Sequence, residues 1–199
     1  MSIPSVAQIR ELHRAHAPSQ EAYDSVHTHC EIVWRVAEGL LDRLGDTTVD
    51  RDLVRAGCLL HDIGVYRLYR ADGTFDGAHY IRHGILGHEI LREAGLPEYL
   101  CRFCSCHTGV GLTKDDIVRQ DLPLPPGDYL AETAEERLVM YADKFHSKSR
   151  PPRFNAPATY SAYVRRFGAD KTAAFEAMRD AFGDPELDAL SVEFGNPIV

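Results

Sequence analysis

The chain is short of most features that would make it a membrane, exported or β-rich protein. No window is long and apolar enough to span a bilayer. The N-terminus, MSIPSVAQIRELHRAHAPSQ, mixes charges with small residues and has no apolar core of the kind an export signal needs. Cationic excess is missing as well: 22 Lys and Arg face 30 Asp and Glu, a formal net charge of −8. A polyanion would be repelled, which excludes a general nucleic-acid-binding surface. Runs of alternating apolar and polar residues are scarce, and there is no internal repeat or low-complexity segment. Five cysteines without an export signal point to reduced thiols. These absences predict a cytoplasmic, all-α protein with no membrane partner.

What the chain does have is helical periodicity and histidine. From His29, apolar residues fall at Ile32, Val33, Val36, Ala37, Leu40, Leu41 and Leu44, the spacing of one buried helix face. A second helix is expected over about 51–61, ended by Gly64, and a third over about 80–94, stopped by Gly95 and Pro97. A fourth covers about 98–107. Thr133 and Glu136 have the spacing of a capping box and start a fifth that runs through Leu138, Val139, Ala142 and Phe145. Further helices are expected at about 158–167, 170–182 and 185–194. The proline-rich stretches 121–130 and 149–158 read as loops.

Ten histidines are the unusual feature. His29 opens the first of these helices, His61-Asp62 closes the second, His83 lies in the third, His107 ends the fourth, and Asp143 sits in the fifth. Each falls on or beside an apolar stripe. Buried imidazole and carboxylate are costly without partners, and a metal ion is one of the few groups that satisfies several at once. Four His and two Asp from five helices can hold one or two divalent transition ions; an N/O donor set suits Fe, Mn, Co, Ni or Zn. His27 points to a different helix face, and His88, about 500° round the helix from His83, is left out of the set. His13, His16 and His79 are expected in solvent or loops. Within CRFCSCH, Cys101 and Cys104 are expected as small core residues, because one CxxC without a second cysteine pair is a weak zinc signal.

HTHCEIVWRVA, LLHDIG and YADK, in that order, resemble the HD-domain superfamily of metal-dependent phosphohydrolases, and specifically its HDIG members. HGILGHEILREAGLPEYL and CHTGVGLTKDD are similar to the additional histidine segments of binuclear members. The resemblance covers about residues 25–148. It implies a single helical HD domain over 1–199, with residues 1–24 and helices in 150–199 as accessory elements. It further implies that His29, His61, Asp62 and Asp143 form the core metal site, with Asp62 bridging two ions and His83 and His107 completing the second. Asp62, His83 and His107 are then the catalytic group, and the reaction is hydrolysis of a small phosphate ester or nucleotide by a metal-activated water.

A phosphate-bearing substrate also calls for cations. Arg67 and Arg70 follow the HDIG turn directly, and Lys144, His146, Lys148, Arg150 and Arg153 follow Asp143. Arg67, Arg70, Lys144, Lys148 and Arg150 are the expected substrate contacts. Two departures bear on substrate. Val65 stands where many HDIG relatives carry lysine, and HTGVGL lacks the double histidine and Gly-Tyr-Pro of the cyclic-dinucleotide subgroup. The same scaffold also hosts non-haem di-iron oxygenases similar to inositol oxygenase, so the ligands alone separate neither oxygenation nor ligand sensing from hydrolysis. The sequence leaves a homodimer open.

Overall fold

The computed structural model describes residues 3–45 and 48–199. Its helices are α1 (Val6–His16), α2 (Gln20–Leu44), α3 (Arg51–Leu60), α4 (His83–Glu93), α5 (Glu98–Ser105), α6 (Lys114–Arg119), α7 (Ala134–Asp143), α8 (Pro157–Val164), α9 (Ala169–Phe182) and α10 (Asp188–Phe194). Two-residue strands β1 (His146–Ser147) and β2 (Arg153–Phe154) pair antiparallel. The protein is all-α apart from that ribbon, as its periodicity predicts. Among the described residues no helix is long and apolar enough to cross a membrane.

Helix α3 is the hub. It packs on α1, α2, α5 and α7, while α4 lies against α5 and the 3-10 turn Ile63–Leu68. The apolar stripe of α2 is buried from Val26 through Leu41. The expected capping box is present: Thr133 Oγ1 accepts from the Glu136 amide at 3.1 Å, and Glu136 Oε2 accepts from the Thr133 amide. The C-terminal helices close over α7, where Tyr141, Phe145 and Phe175 meet ring to ring. Residues 197–199 run alongside β2, with the Phe154 amide donating to Pro197 O and the Val199 amide to Phe154 O.

Several expected boundaries shift for local reasons. Helix α2 starts at Gln20 because Ser19 Oγ caps the Ala22 amide, so His29 lies in mid-helix instead of opening it. The third expected helix is split into a 3-10 turn, Gly77–Arg82, and α4. The loop between His107 and Thr133 contains α6, started by a capping box of Thr113 and Asp116. Gly64 does not act as a flexible stop. A Cβ there would stand 2.0 Å from His83 O and 2.2 Å from Gly87 N, so glycine is required for backbone contact between the HDIG turn and α4.

The expectation that His13 and His16 sit in solvent or loops fails. Both lie on α1, His16 is half-buried, and His13 is fully buried. His13 Nε2–H donates to Leu59 O at 2.7 Å, and Nδ1 accepts from Tyr66 OH at 2.8 Å, which ties α1 to both sides of the His61-Asp62 pair. His27 is buried too, stacked on Tyr23.

Three outcomes are expected. Gly64→Ala destabilises the fold by about 3 kcal/mol or more in chemical denaturation. Gly39→Ala, with open space within 4 Å, stabilises α2 by roughly 0.5–1 kcal/mol. Burial outweighs the bond to Leu59 O and pushes His13 from 6.5 down to about 4. The unfolded chain therefore takes up the extra proton first, so this share of stability is complete above about pH 6.5 and drains away down to about pH 4. Melting temperature should fall more steeply over that interval in the wild type than in His13→Gln; parallel slopes would refute a buried neutral His13.

Candidate metal centre

The six expected ligands converge. His29 Nε2 lies 3.0 Å from Asp143 Oδ1, 3.2 Å from Asp62 Oδ2 and 3.3 Å from His61 Nε2, and His61 Nε2 lies 3.4 Å from Asp143 Oδ1. On the other side of Asp62, His83 Nε2 and His107 Nε2 are 2.9 Å apart, and they stand 3.5 and 3.7 Å from Asp62 Oδ1. Donors bound at about 2.0–2.2 Å around one ion sit roughly 3.0–3.5 Å from each other. Both groups have nearly that spacing, and Asp62 gives one oxygen to each.

Local backbone aims the rings. His61 Nδ1–H donates to Cys58 O at 2.7 Å, His83 Nδ1–H to Tyr80 O at 2.7 Å, and His107 Nδ1–H to Phe103 O at 3.0 Å. A carbonyl can only accept, so in each neutral ring the Nε2 lone pair points into the centre. These helix ends therefore set the rings: α3 stops so that His61 can turn back onto its last carbonyls, and α4 begins at His83. His29, in mid-helix, has a different partner. Its Nδ1 lies 2.8 Å from His146 Nδ1, and His146 Nε2 meets the Asn196 side chain at 3.1 Å.

The electrostatics call for a cation. The Nε2 atoms of His83 and His107 face one another with their Nδ1 protons already committed, so a proton or a metal must lie between them. Burial pushes both rings below the usual imidazole range, further for His107, where His61 and His83 add to it. That disfavours the proton, and a metal ion between them would accept both lone pairs. Burial alone would raise Asp62 and Asp143. Lys148 beside Asp62 and Lys144 beside Asp143, with the facing histidines, instead hold both well below the usual carboxylate range. Among the described residues, Asp62 Oδ1 is the buried side-chain polar atom left without a hydrogen-bond partner. It faces His83 and His107, where a second ion would accept its lone pair, so the donor set fits one or two divalent transition ions.

The centre forms the floor of a cleft of about 1420 Å³. Lys148 Nζ bonds to Asp62 Oδ2 and lies 5.3 Å from the centre of the Tyr80 ring. Lys144 Nζ donates to His107 O at 3.0 Å and to Asp143 Oδ2 at 2.7 Å. Arg150 and Arg153 are at the rim. Arg67 and Arg70 are not in the cleft. Arg67 turns outward to Glu89 and Glu93, and Arg70 faces Asp76 at 3.5 Å, because the 3-10 turn after Asp62 carries both away from the centre. His146, expected in the basic run, is a buried neutral ring pushed down to about 2 by burial, His29 and Lys148. His88 bonds to Ser105 and Glu98, apart from the six ligands. The Cys101 and Cys104 thiols donate to Leu96 O and Leu60 O as core residues.

Asn196 is the site-supporting residue that sequence reasoning missed. No motif marks it, and it lies 50 residues beyond its partner His146. If the ligand assignment holds, His61→Ala and Asp62→Ala lose at least one ion per chain relative to the wild type, measured by elemental mass spectrometry on protein purified without chelator. Two folded variants carrying the wild-type metal content would refute it.

Residues 26–148 match the family model of the HD domain. The chain is 46% identical over 95 residues to an uncharacterized protein of Methanocaldococcus jannaschii, which spans 48% of this chain and 49% of that protein. It is 37% identical over 132 residues to the tRNA (cytidine(56)-2'-O)-methyltransferase of Picrophilus torridus, 66% of this chain and 34% of the methyltransferase. The chain thus spans about half the length of the first relative and about a third of the second. Among solved structures, the HD domain of the L. monocytogenes phosphodiesterase PgpH superposes with a TM-score of 0.54 at 17% identity, covering 94% of this chain and 98% of that one. The same domain in complex with cyclic-di-AMP matches with a TM-score of 0.54 at 18% identity, over 94% and 96%. At such identities the likeness is one of fold. Because the family model spans the whole segment that carries His29, His61, Asp62, His83, His107 and Asp143, the chain belongs to the HD domain family.

Proposed function

We propose that the protein is a metal-dependent phosphohydrolase acting on a phosphate ester or nucleotide. The observation that carries this is Asp62. Its two oxygens face two separate donor groups, and the lysine that touches it opens onto the cleft. When bound, divalent ions supply Lewis acidity, which lowers the pKa of water and offsets charge developing on phosphoryl oxygens.

The chain's own residues do the rest. His29, His61 and Asp143 hold one side of the centre; His83 and His107 hold the other. Asp62 faces both sides and orients the attacking water, whose ionisation a bound metal would supply. Lys148 is the phosphate contact at the floor: with Asp62 engaged by a metal, its ammonium would be free to meet the substrate, while Tyr80 keeps it inside the cleft. This supplies the cation that Val65 does not. Lys144 is held by His107 O and Asp143 and sets the charge behind that contact. Arg150 and Arg153 meet further phosphate or ribose oxygens at the mouth. Tyr69, Phe75, Tyr160 and Tyr163 on the walls suit a planar organic part such as a base. The volume exceeds that of typical small-ligand sites, roughly 300–1,000 Å³, which favours a nucleotide-sized substrate over a simple phosphate ester.

Methyl transfer is not carried over from the archaeal methyltransferases. The matching stretch is about a third of their length, and we take it to be an HD segment within longer proteins. Di-iron oxygenation stays the second reading, because the same donors accept iron.

The test is a phosphate-ester and nucleotide screen on protein loaded in turn with Mn, Fe, Co, Ni and Zn, with oxygen uptake followed in parallel. Phosphate release is expected with at least one metal. Lys148→Met should keep the wild-type metal content while kcat/KM falls by about 100-fold. Oxygen consumption with two irons per chain and no phosphate release would overturn the hydrolase reading.

A further inference from the structure

His29 differs from the other three histidines of the centre in what orients it. His61, His83 and His107 each donate Nδ1–H to a carbonyl three or four residues back in their own stretch of chain. His29 sits in the middle of α2, where the backbone carbonyls are taken up by the helix. Its Nδ1 instead reaches 2.8 Å across to His146 Nδ1, and the two rings stack with centroids 5.1 Å apart. His146 is on β1 and is itself buried. Its other nitrogen, Nε2, lies 3.1 Å from Asn196 Nδ2, on a side chain that is also buried, in the segment after α10. That segment is held in turn: Ser191 Oγ donates to Asn196 O at 2.6 Å, and the Phe154 amide donates to Pro197 O at 2.8 Å.

The protons along this row are determined once His29 binds a metal. Its Nε2 must then be bare, so its proton is on Nδ1 and is donated to His146 Nδ1. His146 Nδ1 must accept, so in the neutral ring the proton lies on Nε2. Asn196 must then receive that proton on its side-chain oxygen, which takes a half-turn of the amide from the orientation with Nδ2 toward His146. Every nitrogen in the row has one role, and reversing any of them puts a proton on the face of His29 that meets the ion.

We propose that His146 and Asn196 are positioning residues that fix the metal-binding tautomer of His29 and thereby set the metal affinity of the centre. Through them the polypeptide beyond α10, outside the segment matched by the family model, takes part in the site. The inference rests on the metal-centre reading. Outer partners of this kind typically change metal affinity by about 10–100-fold when removed.

The experiment measures metal affinity by competition with a chromogenic chelator, using Zn or Co as the probe, for the wild type and four variants. His146→Asn places a carbonyl oxygen near the position of the ring Nδ1 and keeps an acceptor for His29. His146→Gln carries its polar end near Nε2 instead, and His146→Ala has none. Asn196→Asp keeps an acceptor for His146 Nε2–H. His146→Ala and His146→Gln are expected to bind about 10–100-fold more weakly. His146→Asn and Asn196→Asp should stay within a few-fold of the wild type. Melting temperatures of the metal-free proteins separate this from a packing role, which would follow the volume removed and would not rank Asn above the larger Gln. A wild-type protein that binds metal, with His146→Ala binding equally tightly or His146→Gln rescuing as well as His146→Asn, overturns the tautomer relay and leaves the centre standing. A wild type that binds no metal overturns both.

Discussion

Imidazole nitrogens meet in two buried pairs, His29 with His61 at 3.3 Å and His83 with His107 at 2.9 Å, on either side of Asp62, and the rest of the structure is arranged around that unfavourable meeting. The carbonyls of Cys58, Tyr80 and Phe103 have taken the Nδ1 protons of His61, His83 and His107. What remains is a concave set of nitrogens and carboxylate oxygens, with Asp62 Oδ1 left without a hydrogen-bond partner. Short helices follow from it. Each ligand that uses its own backbone must be at a helix end, where a carbonyl is free to accept. Thus α3 runs ten residues, α5 eight, and α4 starts on its ligand. Only α2, whose ligand borrows a partner from β1, is long.

The same meeting explains why an acidic protein draws two lysines toward this centre. Lys144 and Lys148 are drawn inward by Asp143 and Asp62 against the cost of burying an ammonium. They act as internal counter-charges for the carboxylates. A metal at Asp62 would compete with Lys148 for the same oxygen, which would couple its binding to the freeing of that ammonium.

The donor set could be seen from the chain alone because histidine and aspartate on apolar stripes are chemically conspicuous, and the stripes themselves say which side is buried. His29 beside Val33 and Asp143 beside Val139 carry that information in their spacing. Side-chain direction beyond a helix end does not appear in such a pattern. Arg67 and Arg70 are close to Asp62 in sequence, yet a 3-10 turn sends them to Glu89, Glu93 and Asp76. His13 was obscure for a related reason: its burial depends on α1 folding back over α3, a long-range event that a short amphipathic stretch cannot announce. Asn196 shows no local signal at all, and only the return of the chain past β2 brings it to His146.

The contact at Gly64 sets a limit on how the centre can vary. Gly64 carries the turn that follows Asp62, and it touches the backbone of His83 and Gly87 on α4 with no side chain between them. The distance between the two halves of the centre is therefore a main-chain dimension, insensitive to which residues surround it. If the centre holds ions, one of different radius would be met by rotation of the Asp62 carboxylate, since the main chain that spaces its neighbours has no room at Gly64.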